Sequence, residues 1–551
     1  MSREKVRPVY QLYSIDNNFL LTAPFWNYRM ATHKKFSIMN AHWLSIIAFK
    51  GVQMTVGRSI AFIDLDTRTV DITPVPEKWR GSFVGGRGVG TYLACRHGDA
   101  GSDPFSAGNA VVISAGLLGG TLSSPNPLAY ITTKSPLTGF LETTPLSGLF
   151  AAEMRWAGFD HLVITGRSRR WVTLDVHNRD IRILNTGHLK GEGVFDASEA
   201  LRQAQGDADL KTIAIGPAGE NRVRFATIVD GAGNSAGRTG MGAVLGFKRV
   251  KALACRGSLD LEIKFPEEAI RQRLLSVETA RSAETGQSGE GLTSTDYPAG
   301  SGPEELDSDR LNRMLNDWGM DGQAAILMAT LASRHPSDDI TVLLERIALR
   351  KGRIGASAEG PLRTKSKIVP ALSQICLCQE GASVETTGRS APEFTAPPAS
   401  SSQYRGKPGL VSHLELSNRL LDSLGDRTAV GICRRTGRLD LDRAAELIRF
   451  NTGLDLTSRT MEAAAYRCYA LERLFNLKAA RAARQAGILD SCLEAPGGIE
   501  MSLSAWESID LDTFRKMVAR HYRTNGWDRK NLLKKKVFEH LEVAELWNIL
   551  K

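Results

Sequence analysis

Between about residues 54 and 263, apolar positions fall in short β-branched runs at 59–64, 110–114, 161–165, 171–176 and 211–215, each bounded by glycine or other turn residues. Side chains of an extended chain alternate between faces, and glycine or Asx turns end such runs, so this pattern predicts many short strands. Only brief helical patterns interrupt it, at 152–157 and 197–205. After Pro266 the apolar spacing changes to three and four residues, in 311–331 and 340–350, which is the period of an amphipathic helix. Helical patterning resumes from Leu414 and is clearest over 459–486, where Leu471, Leu474 and Phe475 form an apolar stripe. The expected fold class is α+β: a β-rich, glycine-loop first domain over 54–263, followed by mainly α-helical domains over 264–380 and 410–551.

Two stretches interrupt the helical half. Residues 282–309 are rich in Ser, Gly, Thr and Glu, and 381–409 in Ser, Pro, Ala and Thr. Neither has the apolar periodicity needed to offset the entropy of ordering, so the first reads as a flexible segment and the second as a low-complexity linker. No repeat at solenoid or propeller period is visible.

Composition narrows the function. With 42% hydrophobic and 24% charged residues in 551, the chain has the make-up of an ordinary globular protein. Its net charge of +10 is half supplied by residues 1–53, and the remainder carries no concentrated basic face, which argues against nucleic acid as a partner. The basic run at 529–536 reads as a solvated helix face. No window offers the roughly 20 apolar residues of a membrane span, and the first 53 residues lack the layout of a signal peptide. Seven scattered cysteines suit a reducing cytoplasm rather than a disulfide scaffold.

Four glycine-dense segments stand out in the β-rich half: GGRGVG at 85–90, 116–121, GPAGEN at 216–221, and 231–246. Glycine lets backbone N–H groups approach a phosphate or a flat heterocycle, but tight turns between strands explain glycine equally well. His161 and His177 read as structural histidines, and no Ser–His–Asp or HExxH arrangement is present.

The order and wording of the segments are more specific. GGRGVG, TKSPLTG at 133–139, AEMRWAGFD at 152–160, IGPAGEN at 215–221, RFA at 224–226 and SAGRTGMGAV at 235–244 occur in one series. Over 60–257 the chain thereby resembles the tungsten-containing aldehyde ferredoxin oxidoreductase family. Fainter matches follow in NDWGMD at 316–321, in 420–425, in ERLFN at 472–476 and in 522–527. The resemblance implies a first domain that forms the base for a bis-pterin tungsten (or molybdenum) cofactor, and helical domains that supply a four-iron cluster and the substrate cavity. It further implies oxidation of aldehydes to carboxylic acids, ferredoxin as electron acceptor, and a homodimer or a partner subunit. The cofactor contacts it implies are Gly85, Gly86, Arg87, Gly88, Lys134, Ser135, Ala236, Gly237, Arg238, Gly240 and Asp321, with Glu304 or Glu305 as a catalytic carboxylate.

The chain departs from that pattern in several places. The family's CxxCxxxC motif before Gly302-Pro303-Glu304 is missing, no cysteine occurring between Cys255 and Cys376. Arg427 stands where the fourth cluster ligand would follow Asp422-Ser423-Leu424-Gly425. Cys376, Cys378, Cys433 and Cys468 read as structural thiols because their spacing is not cluster-like. Leu128, Pro145 and Asn234 replace an arginine, an asparagine and an arginine of the family pattern. Two readings follow: an oxidoreductase of this type, or a degenerate paralogue that serves as a scaffold or partner subunit. Residues 1–53 are expected to lie outside the folded domains, with Met54 a candidate start.

Overall fold

The structure is a computed structural model. It describes residues 58–284 apart from Pro125 and Arg238, then 308–322 with 325, 340–351, 407–425, 440–485, and a few positions between 516 and 539. Residues 1–53, the bulk of both interrupting stretches (285–307 and 381–406), Glu304, Glu305, Cys376, Cys378 and Cys433 fall outside the described residues, while 282–284, 308–309 and 407–409 lie in helices.

In chain order the first domain runs β1 (Ser59–Asp64), β2 (Thr69–Pro74), α1 (Glu77–Phe83), α2 (Gly86–His97), β3 (Val111–Ala115), β4 (Ala129–Lys134), β5 (Leu141–Leu146), α3 (Phe150–Trp156), β6 (Phe159–Thr165), β7 (Val172–His177), β8 (Asp180–Asn185), α4 (Val194–Gln205), β9 (Lys211–Ala214), α5 (Pro217–Glu220), β10 (Ile228–Asp230), β11 (Ser235–Ala236), α6 (Met241–Lys248) and β12 (Val250–Arg256). The described helices that follow are α7 (Pro266–Glu284), α8 (Ser308–Asp317), α9 (Ile340–Ala348), α10 (Lys407–Leu424), α11 (Leu441–Thr452) and α12 (Ser458–Gln485). A β-rich first half and a helical second half are thus observed.

The strands form two six-stranded mixed sheets, ordered β2-β1-β6-β3-β4-β5 and β11-β10-β9-β12-β7-β8. In each sheet one neighbouring pair is parallel, β1 with β6 and β12 with β7. Ile63, Val111, Ile113, Leu162 and Ile164 of the first sheet pack against Leu174, Val176, Ile213, Val250 and Leu253 of the second in one continuous core. The outer face of the second sheet is covered by α4 through Val194 and Leu201. The outer face of the first is covered by α2 and α12, where Val89, Tyr92 and Leu93 meet Leu471, Leu474 and Phe475. Both faces of β3, β4 and β6 are therefore buried, and β3 accordingly reads as a near-continuous apolar run.

Three glycine segments contain helix starts, GPAGEN forming the short α5 behind its cap Gly216. GGRGVG opens α2, and Gly240 at φ +76° is the cap of α6. The glycines there allow close approach of protein to protein. A Cβ at Gly86 would stand 2.3 Å from the Asp422 carbonyl, and one at Gly88 2.2 Å from the Phe83 carbonyl.

The end of α10 docks by backbone hydrogen bonds. The carbonyls of Ser423, Leu424 and Gly425 accept from the amides of Leu117, Leu118 and Leu128 at 3.1, 2.8 and 3.0 Å. These are the last-turn acceptors that no helix can satisfy internally. At this seam a Cβ on Gly116 would lie 2.0 Å from the Gly425 Cα. Gly116→Ala should therefore destabilise the protein by about 3 kcal/mol or more through overpacking against backbone that cannot move aside. Gly187→Ala, where nothing lies within 4 Å, should change the denaturation midpoint little. Equal midpoints for the two variants would show that the seam is not close-packed.

Candidate functional site

The described candidate residues fall into two groups. The first lies at the start of α2, against α10 and α12. Arg87 donates from Nε and Nη2 to the two oxygens of Glu472 at 2.7 and 3.0 Å, and from Nη1 to Asp422 at 3.2 Å. Arg419 donates to the same Glu472 from Nε and Nη2 at 2.9 and 2.7 Å. Thr91 Oγ1 adds a bond to Glu472 at 3.3 Å, and the Gly88 amide donates to Ser423 Oγ at 3.0 Å. Two guanidinium groups and two carboxylates thus balance in a buried cluster whose members lie up to 385 residues apart in sequence. Burial alone would raise the Glu472 carboxyl, but Arg419 and Arg87 outweigh it and hold the group well below the usual carboxylate range.

The second group surrounds the TKSPLTG turn. Ser135 Oγ donates to the Thr239 carbonyl at 2.6 Å and accepts from the amides of Leu137 and Thr138. Thr144 and Thr239 hydroxyls lie 2.9 Å apart, and the Thr239 amide bonds the Gly237 carbonyl. A Cβ at Gly240 would meet the Arg224 carbonyl at 1.9 Å and Pro136 at 2.9 Å. Ala236 is buried in β11. Arg238, flanked by these residues, lies outside the described residues. Lys134 turns away, its ammonium donating to the carbonyls of Ala100 and Ser102 at 2.8 and 2.6 Å. Asp321 is buried, its amide bonded to the Phe225 carbonyl at 3.2 Å.

Reasoning from the sequence missed Glu472, Arg419 and Asp422. A signal existed, because Glu472 opens the ERLFN segment and Asp422 the DSLG segment. Asn476 of ERLFN completes the clasp by accepting the Leu141 amide at 2.7 Å. Likewise Asp317 of NDWGMD serves α4, its carboxylate accepting the Phe195 amide at 3.0 Å.

Two models of one protein family match the chain, the aldehyde ferredoxin oxidoreductase N-terminal domain over residues 60–257 and domains 2 and 3 over residues 372–543. The chain belongs to the aldehyde ferredoxin oxidoreductase family. The tungsten-containing aldehyde ferredoxin oxidoreductase of Pyrococcus furiosus is 35% identical over 201 residues, which are 36% of this chain and 33% of that protein. Its namesake from Pyrococcus abyssi is 34% identical over 216 residues, 38% of this chain and 35% of the relative. A P. furiosus aliphatic sulfonate oxidoreductase, WOR-like subunit, is 30% identical over 249 residues, 41% of this chain and 40% of its own. The match thus spans about a third of the length of the aldehyde ferredoxin oxidoreductases. Among solved structures, the active site complex BamBC of benzoyl coenzyme A reductase, determined with 1,5-dienoyl-CoA, superposes with a TM-score of 0.70 at 18% identity over 90% of this chain and 98% of that one. That likeness is one of fold.

The family's cofactors can be set against these residues. Cys95, Cys255 and Cys468 are buried thiols in α2, β12 and α12, and burial pushes each well above the ordinary thiol range. A cluster needs thiolates converging on one point. Among the described residues no group of three His, Cys, Asp or Glu could hold a metal, so this donor set does not fit an iron–sulfur cluster. Arg87 offers a pterin phosphate no unbalanced charge. Thr239 of the 235–244 segment lies beside the hydroxyls of Ser135 and Thr144.

One carboxyl behind the clasp is unlike the others. Glu415 on α10 is buried with His521 Nε2 at 3.6 Å, and burial raises it to about 7 against the pull of Arg419. Its folded pKa lies above the ordinary value of about 4.3, so the stability it contributes is full below that value and is lost as the pH rises through 7. Thermal unfolding between pH 5 and 8 should show a midpoint that falls with pH, and Glu415→Gln should remove that part of the slope. An unchanged slope in the variant would assign the titration elsewhere.

Proposed function

We propose that this chain is an oxidoreductase of the aldehyde ferredoxin oxidoreductase type, oxidising an aldehyde to a carboxylic acid and passing two electrons towards ferredoxin. When bound, a tungstopterin or its molybdenum analogue supplies the redox chemistry, and the protein supplies binding, orientation and exclusion of water. The observation that carries this reading is the seam where the family's two halves meet. Family segments from both sides, GGRGVG with the strand that follows TKSPLTG on one and DSLG and ERLFN on the other, are brought together there by Arg87, Asp422, Glu472 and Asn476. The names of the relatives support the same chemistry. Loop residues Gly237, Arg238 and Gly240 are the proposed pterin contacts, and Glu304 or Glu305 the proposed cavity carboxylate.

A second reading is a non-catalytic paralogue that serves as a scaffold or partner subunit, in the cytoplasm as the first. It is favoured by the engagement of Arg87 with carboxylates and by the buried, separate thiols. Elemental analysis of the anaerobically purified chain separates the two. Stoichiometric tungsten or molybdenum, with fluorescent oxidised pterin, supports the enzyme. Arg238→Ala should then lower pterin occupancy at least about tenfold, the loss of a charge-assisted phosphate bond. A wild-type chain free of both metal and pterin after co-expression with a cofactor pathway leaves the partner-subunit reading.

A further inference from the structure

The first domain carries arginines that pair with no carboxylate among the described residues. Some of its guanidinium groups are neutralised, Arg155 and Arg80 by Asp160, and Arg256 by Glu153, Asp207 and Asp209. Arg167, Arg222 and Arg249 form no ion pair among the described residues. They gather beside two tilted phenylalanines, Phe105 and Phe247, whose ring centroids are 6.2 Å apart. The Arg167 guanidinium lies 4.6 Å over Phe247, and that of Arg224 5.9 Å from the Phe105 ring, so the four side chains stack in the order Arg224, Phe105, Phe247, Arg167.

Backbone carbonyls, not acids, hold the stack. Arg167 Nε donates to the Phe247 carbonyl at 2.8 Å, Arg224 Nη1 to the Pro136 carbonyl at 2.7 Å, and Arg249 Nη1 to the Arg169 carbonyl. Two carboxylates lie near, Asp66, which accepts the Arg167 amide at 3.0 Å, and Asp64, which accepts the amides of Asp66 and Thr67, and neither bonds a guanidinium of the patch. Arg167 and Arg222 are exposed and Arg249 is half-buried. Some desolvation, and then the like charges of Arg249 and Arg222, lower the Arg167 guanidinium below its ordinary range. Arg222 and Arg249 also each sit at φ 59°, the left-handed conformation where glycine is the default. Holding a residue with a Cβ there costs about 1 kcal/mol or more. At position 249 the left-handed conformation ends α6, the Arg249 amide bonding the Gly246 and Leu245 carbonyls, so the backbone there is a helix cap and the side chain is left to the surface.

We propose that this arginine–phenylalanine stack is a docking surface for an acidic protein partner. Arginine over an aromatic ring is what recurs at the energetic centres of protein interfaces, and uncompensated like charges steer a complementary surface. Nucleic acid fits less well, because the Phe247 face is covered by Arg167 and is closed to base stacking. A bilayer fits less well too, since none of the exposed large apolar side chains belongs to the patch. The proposal stands apart from the catalytic reading and needs no bound metal.

The test is binding of a fluorescent peptide rich in Asp and Glu to the full chain, measured by anisotropy at low and moderate salt. Wild type should bind saturably, with affinity falling as salt rises. The double variant Arg167→Ala/Arg222→Ala should bind at least about tenfold more weakly, with an unchanged thermal midpoint because both side chains are exposed. Equal affinity of variant and wild type would overturn the proposal. So would a DNA duplex or a phosphatidylserine vesicle that binds as tightly as the peptide through the same two arginines.

Discussion

Glu472 is a buried carboxylate that receives two arginines, one from each half of the molecule, and the rest of the architecture depends on that charge being satisfied. Arg87 comes from the start of α2 on the outer face of the first sheet, and Arg419 from the helix that docks there. Taking an ion from water into protein costs several kcal/mol, and only good geometry with further hydrogen bonds offsets this. The cluster meets that condition with bidentate donation from Arg87, two bonds from Arg419, and Thr91 and Asp422 filling remaining sites. Its contribution is one of specificity: any displacement of α10 or α12 would leave a charge buried and unpaired.

Packing of the two halves follows from that constraint. With Arg87 fixed, the glycines around it allow the α10 carbonyls to reach the amides of Leu117, Leu118 and Leu128. Larger residues would hold the helix away. The same seam brings Asn476 to the β5 edge and Tyr469, Leu474 and Phe475 onto the first sheet. Local motifs of the family thus act together as a fastening between domains, which links family membership to a physical role for residues such as Glu472.

The sequence made much of this legible and hid a particular part. Short β-branched runs bounded by turn residues located β1 and β6, and apolar residues at helical spacing located α9 and α12. Glycine-rich α2 was missed as a helix, since its stability comes from burial on both sides rather than from propensity. Arg87 was expected among the cofactor contacts. Its partners, Glu472 and Asp422, lie 385 and 335 residues away, and no local pattern reports a pairing at that separation. The arginine stack was hidden for the same reason, its members coming from four separate segments of the first domain.

The central claim is that the two halves are fastened by the charge pair between Arg87 and Glu472. A double-mutant cycle with Arg87→Met and Glu472→Gln, read by chemical denaturation of the full chain, tests it most directly. Each single change leaves the other charge buried and should cost about 3–5 kcal/mol, while the double change should cost clearly less than their sum. Strictly additive losses would contradict the account, because they would mean that Arg87 and Glu472 are close without being coupled.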